Sequence, residues 1–344
     1  VSTAAPRRRA ETPAPERRSV LERVSRLALP AWAVLVLAGV GCLVAAMVPV
    51  GPDLLPGIGS VAIAGAFAWA LAARMGGRPV LFGTLAVACG VAVLVLDEDY
   101  LRTGAAVMTC TVSAVLGVVA TVPARQFLAA ARECVVAVLI AAIGALATAG
   151  FEPTITLVRF EYVTLVLALA GSFGVIFRLG AGFHGLGRRG VATVLIGGAV
   201  LAVTLAYAEL LRRYGTPGLV DSLLDVVRWS RDTLGAFPRP IETVLGVPAL
   251  VWGTHMRARR RQGWWVCAFG AAATAPVANS LMNPAISLAE VGLSVTYGLV
   301  LGLVIGYVVV RVDLALTGPR GTRARRAEEE AAVRPEPART SALL

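Results

Sequence analysis

A chain of 344 residues that is 57% hydrophobic and only 15% charged carries more apolar surface than a soluble core of that length can bury; soluble domains hold about 25% charged residues. With a mean hydropathy of +0.75, the sequence reads as an all-α, polytopic membrane protein with no room for a sizeable soluble domain. A net charge of +11 could point to nucleic acid, but the placement of that charge, given below, excludes it.

All 32 basic residues are arginine. Their uniform use, with abundant Ala, Gly and Val, reads as the codon bias of a GC-rich genome rather than as local demand for guanidinium chemistry. Cys42, Cys89, Cys110, Cys134 and Cys267 all sit in apolar runs without CxxC spacing, so buried inert thiols are expected rather than disulfides or a metal site. His184 and His255 lie far apart, and no zinc motif, P-loop or GxSxG elbow occurs. No cofactor and no metal are expected.

In chain order, residues 1–26 form an Arg- and Pro-rich stretch without apolar period, expected as a disordered cytoplasmic tail. The apolar run 27–50 is too long for a signal-peptide core of about 7–15 residues and is read as the first span. Further spans are expected at 58–74, 80–96, 105–122, 134–150, 163–177, 191–208, 241–256, 264–281 and 291–310, giving about ten within a domain of 27–312. Residues 313–344 combine an arginine cluster, an acidic triplet and prolines, and are expected as a second disordered cytoplasmic tail.

The loops test this parse. Tails and alternate loops on one side hold 25 of the 32 arginines and nine acids; the other side holds seven arginines and twelve acids. The positive-inside rule then places both termini in the cytoplasm of a bacterial plasma membrane. The basic excess therefore faces anionic lipid headgroups, and the bilayer rather than nucleic acid is the expected partner.

The one long outer connection, 209–240, carries its own helix signal. Thr216 stands where an N-cap belongs, Pro217 follows at the first helical position, and Gly235 and Pro238 end the run. Leu223, Leu224, Val227 and Leu234 share one face with Asp221, Asp225, Arg228 and Asp232 opposite, which predicts an amphipathic helix in the outer interface with Trp229 at headgroup depth. Asp225–Arg228 has pairing distance along such a helix.

Candidate ligand-binding residues come from two sets. Acids near outer helix ends, Asp97, Glu98, Asp99, Glu152, Glu161, Glu209, Glu242 and Glu290, could converge around one mouth, joined by Arg212 and Arg213, whose guanidinium groups suit phosphate or carboxylate. The stretch 264–290 carries Pro276, Asn279, Asn283 and Pro284 inside an otherwise apolar run. Asn279 and Asn283 at i,i+4 are expected to face the same way from a proline-broken helix, as is Pro248 to interrupt the span before it.

The DEDY run at 97–100 resembles the acidic outer-loop motif of GT-C transferases, which use lipid-linked sugars, although it follows the third span rather than the first. Ten spans with both ends inside are similar to the drug/metabolite transporters, built as two inverted five-helix halves, and the chain as a whole looks like integral membrane proteins of actinobacteria. The expectation drawn from all this is a permease or exporter of a polar or amphiphilic small molecule. An outer-face transferase on lipid-linked envelope precursors, or a non-catalytic envelope assembly partner, are the alternatives.

Overall fold

The computed structural model describes residues 15–48, 51–179, 183–259, 262–317 and 336–343, and among them it is helical without strands. The helices are α1 Pro15–Met47, α2 Leu55–Arg74, α3 Pro79–Leu96, α4 Asp99–Val119, α5 Phe127–Ala149, α6 Leu157–Arg178, α7 Phe183–Tyr214 and α8 Pro217–Leu234. A π turn, Glu242–Gly246, then leads into α9 Val247–Arg257, α10 Gly263–Ala268, α11 Ala271–Thr274, α12 Pro276–Leu281 and α13 Leu288–Thr317.

Eight of these helices, α1 to α7 and α13, are long and apolar enough to cross a membrane. Each of the eight corresponds to an expected span, and several start earlier than expected: α1 at Pro15, α4 at Asp99 and α6 at Leu157. Their outer surfaces suit lipid. Leu81, Phe82, Leu85 and Val95 on α3, for instance, are all exposed.

The other two expected spans are different in kind. The π turn with α9, and the broken series α10–α11–α12, are short and largely buried among the other helices, Val244 being exposed, and every residue from 263 to 280 is buried. The breaks have local causes. Pro248 has no N–H to offer the carbonyl four residues back, and the turn before it widens so that the Val247 N–H bonds to the Glu242 carbonyl. Gly270 lies between α10 and α11, and Pro276 opens α12. Interrupted backbone is tolerated in a membrane bundle where protein covers it, and residues 263–280 are covered throughout.

Close approach of backbones provides that cover. A Cβ on Gly246 would lie 2.2 Å from the Ala273 nitrogen, so the π turn and α11 touch main chain to main chain. Gly298, Gly302 and Gly306, one per turn of α13, lie against Glu242, Val247 and Val251. Small residues at four-residue spacing are how membrane helices come this close.

The α8 helix ends and starts where the sequence places it. Thr216 occupies the N-cap, but its side chain makes no capping bond. Gly235 is left-handed at φ 77°, its N–H bonded to the Arg231 carbonyl. Leu224, Val226, Trp229 and Leu234 are exposed around the helix, while Val220, Leu223, Val227 and Ser230 are covered, and Arg228 pairs with Asp225 at 2.8 Å. Gly235→Ala is expected to lower stability by about 1–2 kcal/mol, since a left-handed residue with a side chain is disfavoured by that much; thermal unfolding in detergent would show it.

Residues 336–343 do not behave as a freely solvated end. They lie against the arginine-bearing end of the bundle, with Leu343 packed on two of its apolar clusters. The expected tails otherwise lie mostly outside the described residues.

Candidate functional site

Most of the predicted acids are already occupied by neighbours. Asp97 ends α3 in a left-handed conformation at φ 54° and pairs with Arg102, whose guanidinium also reaches Glu152 at 3.1 Å. Asp99 accepts a 3.0 Å hydrogen bond from the Thr154 hydroxyl, and Thr103 donates to the Thr154 carbonyl. The acidic run is thus stapled to the α5–α6 loop. Glu98 stands exposed at the start of α4 and makes no capping bond.

Glu209 and Arg213 form an i,i+4 pair on α7; the Arg212 side chain lies outside the described residues. Exposed pairs of this kind contribute about 0.3–0.5 kcal/mol, so Arg213→Ala is expected to leave the unfolding temperature almost unchanged. Glu290 is bound to Arg231 at 2.9 Å, tying α13 to α8.

Asn279 and Asn283 part company. α12 stops at Leu281, because Pro284 disfavours helical backbone at the residue before it. The Asn283 side chain accepts from the Ala285 N–H at 3.0 Å in a local turn, so the shared helical face expected for the two asparagines does not form.

Asn279 remains buried and points inward. Its Nδ2 donates to Glu161 Oε2 at 2.9 Å, a contact between α12 and α6. The other oxygen of Glu161 faces Arg239 at 3.7 Å. Burial draws the Arg239 guanidinium below its ordinary pKa, and the nearby carboxylates of Glu161 and Glu242 act against that.

Glu242 completes the cluster. It is 0% exposed, and neither carboxylate oxygen has a hydrogen-bond partner among the described residues; the same holds for Oδ1 of Asn279. Gly298 of α13 lies against the Glu242 carboxyl, the position of an added Cβ being 3.0 Å from Cδ. A buried carboxylate ordinarily has its lone pairs satisfied, so the two Glu242 oxygens at the broken start of α9 have spare capacity for donors or positive charge. Among the described residues no group of three or more His, Cys, Asp or Glu could hold a metal ion.

Of the expected acids, then, the fold brings Glu161 to Asn279, with Arg239 acting on both Glu161 and Glu242, while Asp97, Asp99, Glu209 and Glu290 are held by Arg102, Thr154, Arg213 and Arg231. The signal for Glu242 was its position six residues before Pro248, at the mouth of an interrupted span. Above the cluster, the 235–240 segment is held to α13 by Ser294 donating to the Phe237 carbonyl at 2.7 Å and Tyr297 donating to that of Leu234 at 2.8 Å.

No protein-family model matches the chain, and no curated protein or solved structure is similar to it. The apolar helices by themselves make this a multi-pass membrane protein.

Proposed function

We propose that the chain is a permease or exporter of a polar or amphiphilic small molecule in a bacterial plasma membrane, and that its substrate presents positive charge to Glu242. The observation that carries this reading is the fully buried Glu242 carboxyl, whose two oxygens have no hydrogen-bond partner among the described residues. An ionisable group inside a membrane bundle is expensive, and such groups mark substrate and ion pathways. Its surroundings fit: two broken segments buried within the bundle are the arrangement by which transporters expose polar backbone and side chains to a solute. In this reading all ten segments cross the membrane, α8 lies in the outer interface, and the 231–240 stretch covers the site through the Arg231–Glu290 pair until substrate displaces it.

The test uses the purified chain in proteoliposomes with ethidium, an amphiphilic cation. Wild type is expected to move the dye across the vesicle wall, Glu242→Gln to lose at least about tenfold in rate, and Arg213→Ala to behave as wild type; binding of a buried charge to its counter-charge is worth more than the 1.4 kcal/mol that a factor of ten needs. Equal rates for wild type and Glu242→Gln would remove the proposal.

One observation favours the transferase alternative. A cavity of about 440 Å³ between α2, α3 and α4, lined by Phe82, Leu85, Tyr100, Met108 and Phe151, begins next to Asp97–Asp99 and is almost wholly apolar. Such a groove suits the hydrocarbon chain of a lipid-linked substrate. Under that reading Asp99→Asn, and not Glu242→Gln, is the damaging change.

A further inference from the structure

At the opposite end of the bundle three charged side chains are almost wholly enclosed: Arg74 at 3% exposed, Glu133 at 0% and Arg257 at 0%. Each is fixed by the bundle itself. Arg257 donates to the Thr121 hydroxyl at 2.7 Å and the Thr121 carbonyl at 3.1 Å, and its guanidinium lies 3.4 Å from the centre of the Trp264 ring. Arg74 donates to the Val119 carbonyl at 3.1 Å. Glu133 accepts from the Val122 N–H at 3.0 Å and from the neighbouring Arg132.

Across these groups lies the 336–343 segment, Glu-Pro-Ala-Arg-Thr-Ser-Ala-Leu. Glu336 meets Arg257 at 2.6 Å, and Arg339 meets Glu133 at 2.8 Å. Arg74 donates to the carbonyls of Ala338 and Ser341, both at 2.6 Å, while the Leu343 N–H donates back to the Arg74 carbonyl at 2.7 Å. The segment has turns but no helix. Its charges match the pocket's in order and sign, its backbone is read by a guanidinium, and an apolar residue closes the contact.

The two sides of this interface are unequal. With the segment lifted away, each pocket charge keeps the bundle contacts named above, so the receiving surface is preformed. Among the described residues, the segment's side chains contact the bundle rather than one another, so its ordering depends on the pocket. Preformed charged clefts that take a short, non-helical chain segment are peptide-binding sites. A lock needed only for stability has an apolar alternative that is no weaker, because desolvating buried ion pairs offsets most of their attraction.

We infer that Arg74, Glu133 and Arg257 form a peptide-binding pocket, specific for a segment of the pattern Glu-x-x-Arg followed by an apolar residue, and that residues 336–343 are its tethered occupant. Because Arg257 ends α9 and lies over Trp264 in the first turn of α10, the occupant's Glu336 holds the residue that links the two interior segments. The inference is independent of any transported substrate.

The experiment places a protease site between residues 326 and 334 of the full chain, cuts it after purification in detergent, and washes the released segment away. A fluorescent synthetic peptide of residues 334–344 is then titrated, with intact chain as the comparison. The cut chain is expected to bind the peptide saturably, and the intact chain at least about tenfold more weakly, because its own segment competes. A peptide with Glu336 and Arg339 exchanged is expected to bind the cut chain at least about tenfold more weakly, as opposite charges are replaced by like ones at both contacts. The Glu133→Arg chain should prefer the peptide carrying Arg339→Glu over the native peptide. Equal binding by cut and intact chains, or no preference between native and exchanged peptides, overturns the inference. Should cutting unfold the bundle, the intact Glu336→Ala/Arg339→Ala chain provides the open pocket, and its failure to bind the native peptide overturns the inference equally.

Discussion

Gly246→Ala is expected to lower the stability of the folded bundle by about 3 kcal/mol, the upper part of the usual range for overpacking a filled interior. The added methyl would meet the Ala273 nitrogen at 2.2 Å and the Ala272 carbonyl carbon at 2.5 Å. Both are main-chain atoms inside a fully buried segment, so no side chain can swing aside, and the π turn must separate from α11. Gly292→Ala is the matched control, since an added Cβ there has nothing within 4 Å; alanine in a helix is favoured over glycine by about 0.5–1 kcal/mol. Thermal unfolding of the two variants in detergent should therefore shift in opposite directions. Equal behaviour would mean that the two interior segments are not in main-chain contact.

The second large effect has an unusual sign. Glu242→Leu is expected to raise stability, by about 1–3 kcal/mol, the desolvation penalty of a buried polar group left without a hydrogen bond, and to abolish ethidium movement. The physical reason is the two carboxylate oxygens enclosed without partners: the bundle loses solvation at that group without gaining a bond. Arg239 keeps Glu161, so the change does not strand a cation. Proteins retain destabilising groups where function needs them. A drop in unfolding temperature for Glu242→Leu would instead assign Glu242 a structural role.

How much of this could be read from residues alone divides along local and long-range contacts. The apolar runs marked the eight long helices, and Thr216, Pro217 and Gly235 bounded α8, because hydropathy and backbone preference are properties of short stretches. Pro248 and Pro276 likewise marked where the interior segments break, whereas the break at Gly270 carried no such mark. What could not be read was which helices face each other. Asn279 finds Glu161 across 118 positions, and Glu242 settles against Gly298; both depend on how each helix is rotated in the bundle. Asn283 shows the limit of periodicity: an i,i+4 relation holds only while the helix continues, and Pro284 had already ended it. The acidic set was over-read for a similar reason, since Arg102, Arg231 and Thr154 each claim an acid that looked free in the sequence. The 336–343 segment has polar, turn-rich composition, and composition cannot reveal that three buried charges elsewhere in the chain are its complement.

Under the proposed function Glu242 is buried without a hydrogen-bond partner in order to receive positive charge from a substrate. Equilibrium binding of ethidium to the purified chain in detergent tests it most directly, comparing wild type with Glu242→Gln and with Asp99→Asn. Saturable binding by wild type and Asp99→Asn, with affinity reduced at least about tenfold in Glu242→Gln, is the predicted result. Undiminished binding by Glu242→Gln would contradict it.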